Sequence, residues 1–198
     1  MSKALYSTDY ESGIGNWVTV NGGSTLSNDA VVFRAGAKSL KVITDGTIAS
    51  QGAFVNNAAA NLNLTEGTVI DYAAWVRPPS GSKVTLYKRM NFVGGATLTA
   101  QSDISPTGDG STWSLIRGGL TVPSGKILAG VAIGIRTFVQ EAITFYVDDA
   151  GIEIRTDGIA RPSAYSPAAD GYAYVLGQGL NENEAIRLRD RMLATNGR

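Results

Sequence analysis

From the start of the chain to about residue 154, short runs in which apolar and polar residues alternate recur between clusters of Gly, Asn, Ser, Asp and Pro. Successive side chains of an extended strand point to opposite faces, so this period of two predicts strands. The expected strands are residues 4–6, 17–20, 30–32, 39–44, 51–56, 69–77, 84–90, 96–102, 114–121, 128–136 and 143–154. No stretch of helical period and useful length interrupts them. Short strands at this spacing, with turn residues between, read as an all-β sandwich.

The same alternation assigns faces. In residues 128–136 Val131, Ile133 and Ile135 form the core side, and Ala132, Gly134 and Arg136 form its reverse. In residues 84–90 Val84 and Leu86 point inward, which leaves Thr85, Tyr87 and Arg89 outward. Phe145 and Val147 are expected in the core with Tyr146 behind them, and Trp75 shares a face with Ala73 while Tyr72, Ala74 and Val76 take the other. One outer face therefore offers tyrosines and arginines beside very small residues.

After residue 154 the pattern stops. Residues 156–171 are rich in Pro, Ala, Ser, Asp and Gly without periodicity, as in a linker or extended arm, and a short apolar piece follows at 172–176. Residues 182–195 then read as a helix. Asn181 is a natural N-cap with Glu184 three positions on, and Asn196-Gly197 ends the element. Ala185, Ile186, Leu188, Met192 and Leu193 lie in one stripe at helical spacing. An isolated helix of about 14 residues is marginal, so the stripe packs on the sandwich or on another chain. Arg187, Arg189 and Arg191 alternate with acids and read as its solvated face. The resulting division is a sandwich over 1–154, an arm over 155–180 and a helix over 181–198.

Composition narrows the chemistry. The 198 residues contain 24 Gly but no Cys and no His, which removes disulfides, thiolate zinc sites, cysteine nucleophiles and histidine-based triads. Lys and Arg total 17 and Asp and Glu total 17, with no basic run, so nucleic acid is a poor partner. No apolar run suits a membrane span, and the start lacks a secretory signal. Asp148 and Asp149 fail as a glycosidase pair, because neighbours on one strand point to opposite faces; Glu141 stands nearby. Gly94-Gly95 and Gly118-Gly119 read as turn or bulge glycines.

Six local patterns occur in order: Asp9 to Trp17 (DYESGIGNW), Gly36 to Val42 (GAKSLKV), Leu64 to Arg77 (LTEGTVIDYAAWVR), Gly110 to Trp113 (GSTW), Thr121 to Gly125 (TVPSG) and Phe145 to Ala150 (FYVDDA). Their order and spacing resemble the CenC-like carbohydrate-binding modules, which have a galactose-binding-like jelly-roll fold, over about residues 4–154. The same module recurs in tail and other virion proteins of bacteriophages, and the arm after it also looks like those proteins. The resemblance implies a jelly-roll β-sandwich and a structural calcium held by Glu11, the carbonyl of Lys41, and Asp148 or Asp149. Against that stands a carboxylate that caps a turn or pairs with Lys38 or Lys41. The resemblance also implies sugar binding by aromatic rings flanked by polar groups. Trp17, Trp75 and Trp113 are expected to pack in the core, so the glycan candidates are Tyr87, Arg89, Arg136 and Tyr146. The competing reading of that face is a solvated one, or one covered by the arm.

The first expectation is thus a non-catalytic phage virion protein of the tail, baseplate or capsid surface, made in the host cytoplasm. It would attach to other virion proteins and sister chains as a homo-oligomer through Ile186, Leu188, Met192 and Leu193. The alternative is a stand-alone carbohydrate-binding protein or adhesin for bacterial surface glycans. Neither reading makes the chain an enzyme.

Overall fold

The computed structural model describes residues 3–155. The arm, the C-terminal helix and the assembly stripe of Ile186, Leu188, Met192 and Leu193 lie outside the described residues. Within them the protein is an all-β sandwich of two antiparallel sheets.

Eleven strands form it: β1 (Lys3–Thr8), β2 (Val18–Val20), β3 (Ser24–Asp29), β4 (Ser39–Thr44), β5 (Gly52–Leu64), β6 (Val69–Arg77), β7 (Val84–Phe92), β8 (Thr97–Ile104), β9 (Ser114–Thr121), β10 (Leu128–Thr137) and β11 (Thr144–Arg155). The six-stranded sheet runs β3-β4-β11-β6-β9, with β1 also pairing β11. The five-stranded sheet runs β2-β5-β10-β7-β8. The chain therefore crosses between sheets repeatedly, and β10 and β11 lie in opposite layers.

Between the layers the apolar parity of each strand meets that of the other sheet. Leu40, Val42, Ile70, Tyr72, Val76, Phe145, Val147 and Ile152 come from one side, and Val55, Leu86, Met90, Val131, Ile133 and Ile135 from the other. Tyr72 reaches across to donate its hydroxyl to the carbonyl of Arg89 at 3.0 Å. Burial of this kind supplies most of the folding energy, at about 25 cal/mol per Å² of apolar surface.

Three elements depart from the pattern-based expectation, the first being β3 at Ser24–Asp29, a strand the alternation does not predict. Residues 30–32 are not a strand: the carboxylate of Asp29 accepts the amides of Val31 and Val32 at 2.8 and 2.7 Å, which turns the chain and leaves Val31 87% exposed. Local side-chain capping defeats β propensity there. β5 instead runs on to Leu64, through an Asn/Ala stretch of poor propensity, because β10 offers a ladder to pair with. The extra residues show as a register shift between Val131 and Ile133.

Turn chemistry joins β7 to β8. Gly94 and Gly95 both have φ of 88°, a left-handed backbone that closes the hairpin between Phe92 and Ala96. Gly118 and Gly119 form neither the turn nor the bulge expected of them, because they lie in unbroken register within β9, opposite Tyr72 and Asp71. A Cβ on Gly118 would collide with the carboxylate of Asp103, so the glycine makes room for a charge in the core.

That charge is half of a buried pair. Lys88 and Asp103 have inward parity on β7 and β8, their side chains are 3% and 1% exposed, and the ammonium meets Asp103 Oδ2. A register shift between Leu86 and Lys88 turns Asp103 inward, opposite Leu86.

Candidate functional site

The outer face of the five-stranded sheet collects most of the expected glycan residues. Since Val131, Ile133 and Ile135 point to the core, Ala132, Gly134 and Arg136 of β10 point out; Leu86 and Met90 likewise turn Tyr87 and Arg89 of β7 out. Pairing then sets three rows. Phe54, Gly134 and Tyr87 are aligned across β5, β10 and β7; Gly52, Arg136 and Thr85 form the next row; Ala132 stands beside Arg89.

Side chains within these rows touch. The Arg136 guanidinium carbon lies 3.7 Å from the centroid of the Tyr87 ring, and the Phe54 ring meets Tyr87 edge-on at 6.5 Å and 90°. Gly134 is needed between them, because a Cβ there would fall 2.7 Å from the Cβ of Phe54. The face is thus two aromatic rings and two arginines around very small residues. Phe54 is not among the expected residues, because the strand predicted over 51–56 is apolar on both parities and its pattern assigns no faces.

The polar atoms of this face are underused. Arg136 Nε, Arg89 Nε and Thr85 Oγ1 are buried without a hydrogen-bond partner among the described residues. Burial pushes the Arg136 guanidinium below its usual pKa range, while the neighbouring Tyr87 opposes that shift. Arginine stays charged in proteins, so this site carries permanent positive charge. The five strands of this sheet contain only Lys88, Arg89, Arg136 and one acid, Asp103. Lys88 and Asp103 cancel within the core, so the strands give the outer face two guanidinium groups and no carboxylate.

Tyr146 is elsewhere. It belongs to β11, with Phe145 and Val147 in the core, and so sits on the outer face of the six-stranded sheet, where Lys41 Nζ lies 6.0 Å from its ring. Three of the four expected glycan residues are together, and the fourth is on the opposite side of the sandwich.

The calcium candidates are committed to backbone and to ion pairs. Glu11 Oε1 accepts the amides of Ala37 and Lys38 at 2.8 and 3.0 Å, and Lys38 Nζ returns a bond to the Glu11 carbonyl. Asp148 Oδ2 accepts the amides of Arg34 and Ala35, Asp149 binds the Arg34 guanidinium at 2.8 Å, and Lys41 pairs with Asp29 at 3.5 Å. Lys41 is ladder-paired on both sides, to Ser27 and Tyr146. Among the described residues no three acidic side chains converge. Glu11 and Asp148 tie residues 34–38 to the sandwich through these backbone amides. Burial raises the pKa of Asp148, with the two amides it accepts opposing.

A bulge also alters the aspartates' geometry. The register of β11 against β6 shifts between Asp148 and Gly151, and Asp149 has φ of 45°. Both carboxylates consequently serve the same Arg34 loop instead of opposite faces. The tryptophans divide as well. Trp17 packs in the core against Tyr10, but Trp75 lies on the outer face of the six-stranded sheet under the Arg34 guanidinium at 3.8 Å, and Trp113 is half-buried before β9. Core parity on β6 belongs to Tyr72, Ala74 and Val76, so Trp75 points the other way.

The two-sheet fold is similar to that of solved carbohydrate-binding domains. The CBM22-1 xylan-binding domain of Paenibacillus barcinonensis Xyn10C superimposes with a TM-score of 0.60 at 16% identity, over 77% of this chain and 95% of that domain. The CBM22-2 domain of the same protein gives 0.59 at 21% identity, over 77% of this chain and 100% of that one. The CBM22-1-GH10 modules of Clostridium thermocellum Xyn10B, complexed with xylohexaose, give 0.61 at 17% identity over 75% of this chain and 28% of that one. In sequence, the chain is 26% identical over 152 residues to endo-1,4-beta-xylanase A of Thermotoga maritima, a match covering 76% of this chain but 14% of that relative. No family model matches the sequence.

Proposed function

We propose that this chain is a non-catalytic carbohydrate-binding module whose ligand lies across the outer face of β5, β10 and β7. The observation that carries it is the row Phe54, Gly134, Tyr87, flanked by Arg136 and Arg89 with unpartnered buried donors. Aromatic rings offer faces for the C–H side of a sugar ring, and the free guanidinium and hydroxyl groups supply hydrogen bonds for its oxygens. The fold likeness to xylan-binding domains supports a β-1,4-linked xylan chain as the first ligand to test. Of the two expectations drawn from the sequence, glycan binding is the better supported; neither the fold nor the likenesses speak for a place in a phage particle.

Titration calorimetry with xylohexaose tests this reading. Tyr87→Ala is expected to weaken binding at least about tenfold, equivalent to ~1.4 kcal/mol, whereas Tyr146→Ala on the opposite sheet leaves it unchanged. Equal losses in both variants, or none in Tyr87→Ala, would move the site away from this face.

A further inference from the structure

The charge balance of the proposed glycan face points beyond a neutral sugar chain. Over the whole sequence, 17 basic residues match 17 acidic ones. On the six-stranded sheet and the loop over it, several outward cations stand beside acids, Arg34 by Asp149, Lys41 by Asp29 and Arg117 by Asp71 and Glu153, while Arg77 donates to the carbonyl of Gly110. The five-stranded sheet keeps its only carboxylate, Asp103, in the core against Lys88. Arg89 and Arg136 are left on the outer face with no acid from any strand of that sheet, and the Nε of each is buried without a partner among the described residues. Arg136 is 8% exposed, so its charge is largely removed from water, and among the described residues Tyr87 alone, through its ring and a side-chain hydrogen bond, compensates it.

Sugar hydroxyls would satisfy the missing hydrogen bonds of these groups but not their charge. Taking a guanidinium out of water is costly unless an anion meets it, and its planar fork matches a carboxylate through two parallel N–H···O bonds. We infer that the face formed by Tyr87, Arg89 and Arg136 selects glycans bearing uronic acid carboxylates over neutral glycans of the same backbone. The carboxylate would meet one of the two guanidinium groups, which stand in the rows on either side of Tyr87, with the ring that carries it against Phe54 or Tyr87. This inference deepens the glycan-binding reading and rests on it.

Three probes separate the two: xylohexaose, a xylan carrying glucuronic acid side groups, and that same xylan after its carboxyl groups have been reduced to hydroxymethyl groups. The expected result is binding of the acidic xylan about tenfold or more tighter than its reduced form, with the preference shrinking as salt is raised. Equal affinity for the acidic and reduced polymers would overturn the uronate inference and leave glycan binding standing. Binding to none of the three would overturn the glycan reading itself. Arg136→Gln and Arg89→Gln are each expected to bring the acidic-to-reduced ratio toward one. Arg136 is buried and also packs, so the half-buried Arg89→Gln, checked for an unchanged melting midpoint, carries the test alone if Arg136→Gln does not fold. A preference retained in folded Arg89→Gln and Arg136→Gln would overturn the assignment to these residues.

Discussion

On the outer face of the six-stranded sheet, Arg34 stacks on Trp75 and pairs with Asp149, Lys41 pairs with Asp29, and Arg117 lies between Asp71 and Glu153. Residues 34–38 are fastened over part of it by Glu11 and Asp148. On the outer face of the five-stranded sheet, by contrast, two arginines and two aromatic rings surround Ala132 and Gly134 with no carboxylate from those strands. Both faces carry an arginine stacked on an aromatic ring, at 3.8 and 3.7 Å. Only one of those arginines has an acid beside it. An arginine with its counter-charge in place closes a surface, while one without it retains binding capacity, and unmet polar groups in an ordered setting mark functional faces.

The contrast can be broken in steps. The largest effect is expected in the core of the five-stranded sheet. Asp103→Ala leaves the Lys88 ammonium buried without its partner and should cost about 3–5 kcal/mol in urea unfolding. Replacing both, Lys88→Met with Asp103→Leu, should recover much of that, since a well-packed apolar pair needs no desolvation. If Asp103→Ala unfolds at the same denaturant concentration as the parent, the pair is not what settles the charge of this sheet. Next comes the binding loss of Tyr87→Ala, confined to one face as set out above. On the other face, Arg34→Ala removes a half-exposed cation–π contact and ion pair, and should cost about 1 kcal/mol without altering glycan affinity. A change in affinity there would extend the site to both layers. The smallest effect is expected from a chelator. Glu11 and Asp148 already accept backbone amides, so the melting midpoint should not move; a rise on adding calcium would show that these carboxylates do hold a cation.

How much of the site could be read from the sequence follows from what alternation encodes. Tyr87, Arg89 and Arg136 were legible because each adjoins an apolar residue of inward parity, Leu86, Met90 and Ile135 respectively. Phe54 was not, since Gly52-Ala53-Phe54-Val55 is apolar on both parities and the face it takes is fixed only by the register of β5 on β10. Asp103 and Lys88 interrupt an otherwise apolar parity, and the bulge in β8 that aims Asp103 inward leaves no signature in a local pattern. Residues 30–32 misled for a related reason: three apolar-leaning residues read as a strand, while the side chain of the preceding Asp29 made a turn.

By itself, then, the sequence determined the all-β class, the inward and outward residue of most strands, and the absence of cysteine and histidine chemistry, because these depend on local periodicity and composition. Tertiary structure alone decided which outward residues became neighbours. The chain passes to the opposite layer between β10 and β11, and that crossing puts Arg136 beside Tyr87 while sending Tyr146 to the far face. Side-chain direction is a property of a strand, but a binding face is a property of strand order, which is set by which apolar faces bury one another across the whole sandwich.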